Sequence, residues 1–214
     1  MKLKIKICGL RETNNILQAA ELNPDMMGFI FFSKSPRYAG NIGDSRIIGN
    51  LPETILKTGV FVNEPEDSII KTADRYSLDA IQLHGDESPL FCCQIRARGL
   101  KVIKAFRINA ADHFKDCRAY TDCTDFFLFD TLSETYGGSG KKFDWKILES
   151  YSLHHPFLVS GGISPDDAED ILSIKNPYFL GVDLNSRFES KPAIKDIYSL
   201  ERFISKIRQN DYTL

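Results

Sequence analysis

Two kinds of hydrophobic pattern alternate along the chain. Short runs rich in Val, Ile and Phe are typical of strands buried in a parallel sheet, whereas apolar residues that recur every three or four positions indicate amphipathic helices. Runs of the first kind predict strands over residues 3–8, 27–32, 56–62, 80–83, 101–106, 125–130, 157–160 and 179–183.

Helical patterns separate these strands. A serine stands before Pro89 and another before Pro165, and proline suits the first helical turn. The predicted helices cover residues 12–22, 44–51, 66–76, 89–98, 111–120, 144–151, 165–174 and 194–208. The order of elements is therefore a strand followed by a helix throughout.

About eight strand–helix units in 214 residues favour the α/β class and, within it, a (β/α)8 TIM barrel. A doubly wound sheet usually has about five or six strands, so a flavodoxin-like sheet with an appended subdomain is the alternative. No linker rich in Pro, Gly or Ser divides the chain. We therefore expect residues 1–214 to form a single TIM-barrel domain.

The charged residues narrow the choice of partners. Lys and Arg number 27 and Asp and Glu number 29, and the net charge of -2 gives no chain-wide attraction to nucleic acid or to an anionic membrane. Lys2, Lys4 and Lys6 interrupt the first apolar residues, and no apolar run of membrane-spanning length follows. We expect a soluble protein that binds neither nucleic acid nor membrane.

The cysteines indicate the redox environment. The chain has five, an odd number without C-x-x-C spacing: Cys8, Cys92, Cys93, Cys117 and Cys123. Cys92 and Cys93 are neighbours and cannot easily pair with each other. We expect reduced thiols in the cytoplasm.

Three reactive side chains stand where predicted strands end. Cys8 precedes a glycine at the end of the first strand, Asp130 ends the sixth, and His84 follows the fourth, on the same face as Gln82. Parallel α/β folds bind ligands at the carboxyl ends of their strands. A lone cysteine is more often a small core residue, so the hypothesis of one chemical site depends on these companions.

Two glycine-rich stretches resemble anion-binding loops. One, containing Gly138, Ser139 and Gly140, follows the sixth strand, and the other, containing Gly161 and Gly162, follows the seventh. Backbone N–H groups at glycines and at a helix N-terminus bind phosphate well. Asn185 and Ser186 follow the last strand, so these residues are candidates for one phosphate site.

Arg37, in Ser35-Pro36-Arg37, follows the second strand. Its guanidinium can hold a carboxylate or phosphate with two hydrogen bonds, although a surface arginine is an equally simple interpretation. The histidines and cysteines lack metal-ligand spacing, and no G-x-G-x-x-G opens the first helix. We expect neither a metal nor a dinucleotide.

Strand alternation places Lys6 on the same face as Cys8. On an open strand this lysine would point into water, as the periodicity alone favours. In a closed barrel it needs a buried partner. Asp183, on the last strand, becomes adjacent on closure, so we predict a buried Lys6–Asp183 ion pair.

Taken in order, these motifs resemble those of the phosphoribosylanthranilate isomerase family. The resemblance covers residues 4–196, nearly the whole chain. It is carried by Lys6-Ile7-Cys8-Gly9, Ser35-Pro36-Arg37, Gln82-Leu83-His84-Gly85, Phe129-Asp130-Thr131, Gly137-Gly138-Ser139-Gly140, Ser160-Gly161-Gly162-Ile163 and Val182-Asp183, with Ser186, Glu189, Pro192, Lys195 and Asp196 after them.

The resemblance implies a (β/α)8 barrel that catalyses the Amadori rearrangement of a phosphoribosyl anthranilate in tryptophan biosynthesis, without a cofactor. It implies that Cys8 is the general base, that Asp130 is the general acid and that Arg37 contacts the anthranilate end of a phosphosugar substrate. Gln82, His84 and Asp183 are the other candidate substrate contacts. Monomer and homodimer both remain open.

The turn at Asn185–Glu189 departs from the family, whose members often have small residues and Gly-Val there. Arg187 either adds a phosphate contact or points to solvent. Three other functions are weighed: a histidine-pathway isomerase, which would use paired aspartates; a hydrolase with Cys8 as covalent nucleophile, which would need a base beside it; and a non-catalytic phosphosugar-binding barrel.

Overall fold

The computed structural model describes residues 2–108, 110–130 and 145–209, and eight parallel strands close into a barrel in chain order. The flavodoxin-like alternative is wrong, because β1 pairs with both β2 and β8. The barrel strands are β1 (Lys4–Cys8), β2 (Met26–Ile30), β3 (Leu56–Phe61), β4 (Ala80–Leu83), β5 (Lys101–Arg107), β6 (Phe126–Asp130), β7 (Phe157–Ser160) and β8 (Phe179–Leu184).

Helices follow most strands. They are α1 (Thr13–Glu21), α2 (Arg46–Gly49), α3 (Glu66–Tyr76), α4 (Pro89–Ala97), α5 (Phe114–Cys117), α6 (Ala168–Leu172) and α7 (Ile197–Gln209). Between β6 and β7 the described residues form a 3₁₀ segment, Trp145–Ser150, where an α-helix over 144–151 was predicted. Within the described ranges no helix is long and apolar enough to cross a lipid bilayer.

Four further predicted helices differ in extent, and one of them, α2 at Arg46–Gly49, is half as long as the predicted 44–51. The helix predicted over 111–120 is a short α-helix between two 3₁₀ segments, and threonine hydroxyls bond to backbone carbonyls there, at Arg118 and Tyr120. The helix predicted from Pro165 begins at Ala168, because the Asp167 carboxylate accepts hydrogen bonds from the backbone and hydroxyl of Ser164.

The last predicted helix, over 194–208, begins three residues late. Residues Ile194–Lys195 form strand β10, which pairs antiparallel with β9 (Glu189–Lys191). The Asn15 side chain, on α1, accepts a hydrogen bond from the Lys195 N–H and donates one to the Lys195 carbonyl. This hairpin therefore ties the segment after the last barrel strand to the first helix.

Hydrophobic residues form two layers. A small cluster fills the inside of the barrel, and a large one packs the outer strand faces against the helices. α7, for example, buries Leu200, Phe203, Ile204 and Ile207. The inner cluster consists of Met26, Ile103, Ala105, Leu128 and Leu158, so the inside of the barrel is a packed core.

The cysteines differ from expectation. Cys93 on α4 and Cys123 in the 3₁₀ segment Arg118–Cys123 form a disulfide with a Cα–Cα distance of 4.5 Å. The prediction that all the cysteines are reduced is therefore wrong for this pair, which the sequence separates by 30 residues. Cys8, Cys92 and Cys117 are free and buried.

The amino-terminal end of the barrel repeats one arrangement. An aspartate immediately before β2, β4 and β6 accepts a hydrogen bond from the backbone N–H of the second residue in the preceding strand, at 2.8–3.0 Å. These aspartates are Asp25, Asp79 and Asp125. Each is also an ion-pair partner, to Lys4, Lys57 and Arg96 respectively.

Candidate active site

The carboxyl ends of the strands surround a cavity. Every predicted site residue in the described part of the chain lines it: Cys8, Arg37, Gln82, His84, Asp130, Gly161, Gly162, Asp183, Asn185 and Ser186. Gly138, Ser139 and Gly140 lie outside the described residues. Arg187 is exposed, which agrees with the solvent-facing interpretation.

Cys8 ends β1 inside the cavity and is 3% exposed. The β2 residue opposite it is Gly28, where a Cβ atom would lie 2.6 Å from the Cys8 sulfur. A glycine inside a strand often marks such a close approach. Burial and the charge of Asp183 raise the pKa of Cys8, while Lys6 and Lys195 oppose the increase. The neutral thiol is therefore the resting form, contrary to the partial ionisation that base chemistry favours.

Lys6 lies directly below this thiol and is fully buried. Its Nζ is 2.8 Å from Asp183 Oδ2 and donates a second hydrogen bond, also 2.8 Å long, to Gln82 Oε1. The predicted ion pair is confirmed, and a solvent-facing Lys6 is wrong. Burial is the largest single influence and disfavours the ammonium, but Asp183 and Cys8 together outweigh it and raise the pKa of Lys6.

A polar chain leads from Lys6 to Asp130. Because Gln82 accepts from Lys6 with Oε1, its Nε2 donates to His84 Nδ1 at 3.0 Å. The His84 proton is thereby assigned to Nε2, which lies 3.4 Å from Asp130 Oδ2. The position of His84 at the end of β4 predicted a substrate contact; the sequence did not reveal that it faces Asp130.

Arg37 is held by a carboxylate of the β9–β10 hairpin. Its Nε lies 2.8 Å from Glu189 Oε1 and its Nη2 lies 2.6 Å from Glu189 Oε2. Glu189 Oε1 also accepts a 2.7 Å hydrogen bond from Lys195, whose side chain is fully buried. The hydrogen bonds to Glu189 raise the pKa of Arg37. Arg37 is therefore fixed within the site, and the alternative that it is an ordinary surface arginine is wrong.

The glycines after β7 form a turn with left-handed backbone. Gly161 and Gly162 have φ angles of 91° and 69°, a conformation that favours glycine. They border the cavity beside Asn185 and Ser186. The predicted contribution of a helix N-terminus is wrong in its position, because α6 begins only at Ala168 and has five residues.

The sequence did not reveal the roles of Gly28, Glu189 and Lys195 in the candidate active site. The glycine inside β2 was the one local sign available; the other two act through tertiary contacts between distant segments. Among the described residues, no group of three or more His, Cys, Asp or Glu side chains is arranged to hold a metal ion.

Comparison with known proteins identifies relatives of the chain. Residues 5–206 match the family model described as N-(5'-phosphoribosyl)anthranilate (PRA) isomerase. The N-(5'-phosphoribosyl)anthranilate isomerase of Parabacteroides distasonis is 45% identical over 204 residues, which cover 95% of this chain and 92% of that protein.

Solved structures of similar fold agree. A phosphoribosyl anthranilate isomerase in complex with reduced 1-(o-carboxyphenylamino)-1-deoxyribulose 5-phosphate has a TM-score of 0.82 at 29% identity, covering 97% of this chain and 99% of that one. Monomers generated from the dimeric enzyme of Thermotoga maritima have a TM-score of 0.81 at 29% identity, with the same coverage. The chain therefore belongs to the N-(5'-phosphoribosyl)anthranilate isomerase family.

Proposed function

We propose that the chain, acting as a single domain, isomerises N-(5'-phosphoribosyl)anthranilate to 1-(2-carboxyphenylamino)-1-deoxyribulose 5-phosphate in tryptophan biosynthesis. Cys8 is the general base and Asp130 the general acid. The observation that carries this assignment is the presence of a thiol from β1 and a carboxyl group from β6 in one cavity. Family membership supports the choice of substrate and reaction.

Ring opening is the task of Asp130. The bond between C1 and the ring oxygen breaks as the nitrogen lone pair forms a C=N bond, and the leaving oxygen takes a proton from the Asp130 carboxyl group. Asp130 must therefore be protonated when the substrate binds. A neighbouring Nε2–H of His84 would hold one carboxyl oxygen and leave the other for the proton that is transferred.

Proton removal from C2 is the task of Cys8. The C=N bond at C1 makes the neighbouring C–H acidic, and the thiolate takes this proton to give an enolamine. The enolamine then gains a proton at C1 and loses the one on the C2 hydroxyl, giving the ketone. Since the thiol is the resting form, the reaction draws on a minor thiolate fraction, favoured by the charges of Lys6 and Lys195.

The other cavity residues bind the substrate. Arg37 faces the anthranilate carboxylate. Gln82 and Asp183 hold the sugar; Asp183 Oδ1 has no hydrogen-bond partner among the described residues, so a sugar hydroxyl can donate to it. The phosphate is bound by Gly161, Gly162, Asn185 and Ser186, together with Gly138, Ser139 and Gly140, which the described residues do not include.

We also propose that the reaction needs no cofactor or metal, because proton transfers alone convert the substrate into an isomer. The enzyme acts in the cytoplasm as a monomer or a homodimer; the Thermotoga maritima relative is described as dimeric. A cytoplasmic location fits the three free cysteines, Cys8, Cys92 and Cys117.

The decisive experiment follows phosphoribosylanthranilate fluorescence after adding the purified full chain. We expect fluorescence loss with formation of the ketone product, which chromatography identifies. Binding of the reduced product analogue without turnover would instead indicate a non-catalytic barrel. Release of free anthranilate would indicate hydrolysis.

A further inference from the structure

Two basic side chains at one edge of the cavity share a single carboxylate. Arg37 and Lys195 both bond to Glu189, at 2.6–3.0 Å and 2.7 Å. The Lys195 and Glu189 side chains are 0% and 4% exposed, whereas that of Arg37, which lines the cavity, is 20% exposed. We call this group the Arg37–Glu189–Lys195 triad.

Glu189 occupies one edge of the Arg37 guanidinium. It accepts from Nε and Nη2. A guanidinium carries five N–H groups, so the outer edge formed by Nη1 and Nη2 can still hold a second carboxylate with two bonds. No described residue other than Glu189 accepts a hydrogen bond from the Arg37 side chain.

Glu189 weakens the attraction of the open edge for an anion. The Arg37–Glu189 pair has no net charge, and Glu189 repels a second carboxylate brought beside Arg37, which offsets part of the attraction by the guanidinium. Lys195 changes this balance. With its ammonium the triad carries two positive charges and one negative charge, a net charge of one positive unit.

We propose that Lys195 determines the preference of the site for a ligand with an aromatic carboxylate. It acts without touching the substrate, because its charge makes the net charge of the triad around Arg37 positive. This inference rests on the proposed function, in which Arg37 faces that carboxylate. Hydrogen bonds fix the position of Lys195. Its backbone bonds to the Asn15 side chain, and its Nζ donates to Asn185 Oδ1 at 2.8 Å.

Two probes test the proposal. They are reduced 1-(2-carboxyphenylamino)-1-deoxyribulose 5-phosphate and its phenylamino counterpart without the carboxylate. Titration calorimetry of the full chain gives the ratio of their dissociation constants, which we call the carboxylate preference. We expect Lys195→Met to lower this preference about tenfold, the scale expected for one unit charge several ångströms away in a partly buried site.

Charge-balanced variants separate charge from geometry. Glu189→Gln leaves a net charge of two positive units and should raise the preference more than about threefold above that of the wild type, whereas the double variant Glu189→Gln/Lys195→Met restores one positive unit and the wild-type preference, within about threefold. A double variant as poor as Lys195→Met would overturn the proposal. If Lys195→Met does not fold, equal preferences in Glu189→Gln and in the double variant would overturn it.

Lys104→Met is the matched control. Lys104 is also a buried lysine paired with a glutamate, Glu87, at 3.1 Å, and both side chains are 3% exposed. Its loss should weaken both probes equally. Arg37→Ala distinguishes the role of Arg37 from that of Lys195. If Arg37→Ala leaves the preference unchanged, the role proposed for Arg37 is wrong. If Arg37→Ala lowers the preference and Lys195→Met does not, only the role proposed for Lys195 is wrong.

Discussion

Both ends of the barrel carry pairs between lysine and a carboxylate, but in different surroundings. At the amino-terminal end the Lys4–Asp25 and Lys57–Asp79 pairs lie partly in water: the Lys4 side chain is 44% exposed and that of Asp79 39%. At the mouth, Lys6 and Lys195 are fully buried against their carboxylates.

The difference shows how one type of interaction serves two purposes. The aspartates of the amino-terminal end repeat one arrangement at every second strand and bind the backbone, which suits an end that stabilises the fold. The carboxyl-terminal end has no such repeated arrangement. Its two buried lysines pair with different carboxylates, Lys6 with Asp183 and Lys195 with Glu189. Water screens the first set of pairs and is excluded from the second, so the same substitution should have unequal effects at the two ends.

The largest difference in stability is expected between substitutions of two lysines on the same strand, β1. Lys6→Met leaves the Asp183 carboxylate buried and unpaired, and should lower the free energy of unfolding by roughly 3 to 5 kcal/mol. Lys4→Met, two residues away, should cost less than about 1 kcal/mol. Urea unfolding of both variants measures this. Adding Asp183→Asn to Lys6→Met should recover part of the loss; no recovery would contradict the pairing energy assumed here.

The proposed general base and general acid, Cys8 and Asp130, should affect kcat without affecting stability. Cys8→Ala and Asp130→Asn should each lower kcat on the order of 100-fold or more, the usual scale for a missing general base or acid, with unfolding transitions close to that of the wild type. Cys117→Ala, which removes a buried cysteine outside the cavity, is the control and should keep the rate. Near-wild-type turnover of a folded Cys8→Ala or Asp130→Asn protein would rule out the role of that residue.

The protonation of Cys8 has a direct readout. Because burial and Asp183 raise its pKa above the ordinary thiol value of 9.0, the thiolate fraction grows with pH throughout the neutral range. Alkylation of Cys8 by iodoacetamide should therefore accelerate about 100-fold from pH 7 to pH 9. Peptide mass spectrometry follows it, with Cys8→Ala as the background. A rate that levels off below pH 8 would mean that Lys6 and Lys195 hold a thiolate.

Arg37 should contribute more to substrate binding than to the rate of turnover. Arg37→Ala should raise KM for the carboxylate-bearing substrate about tenfold, the scale of a charge-assisted bidentate contact, and should change kcat less. Steady-state kinetics with a substrate made from aniline provide the comparison. Equal losses for the two substrates would assign Arg37 to the phosphate instead.

The smallest effect on stability is expected for a substitution at the amino-terminal end of the barrel. Asp79→Ala removes the acceptor for the Lys57 N–H and one exposed ion pair, which should cost about 1 kcal/mol of stability. The kcat should not change. Thermal unfolding and turnover are measured on the same sample, and a loss of kcat would show that the two ends are coupled.

The fold could be predicted from the sequence because strand patterns are local. β4 and β7 have the predicted bounds, and the parity of Lys6 and Cys8 followed from alternation alone. The Cys93–Cys123 disulfide and the Glu189 carboxylate on Arg37 could not be predicted, because each joins segments that only the closed barrel brings together. Short helices failed for another reason: side-chain hydrogen bonds compete with the backbone there, as at Ser164 and Asp167.

The Lys6–Asp183 pair, which joins β1 to β8, also bears on how the chain is made. Its partners are 177 residues apart, so at roughly 5–20 residues per second a ribosome needs about 10 to 35 s after β1 before it supplies β8. During that interval the edge of β1 that pairs with β8 lacks its partner, and charged lysines on an edge strand discourage pairing with other chains. We therefore expect Lys4 and Lys6 to limit association of β1 with other chains before β8 is made.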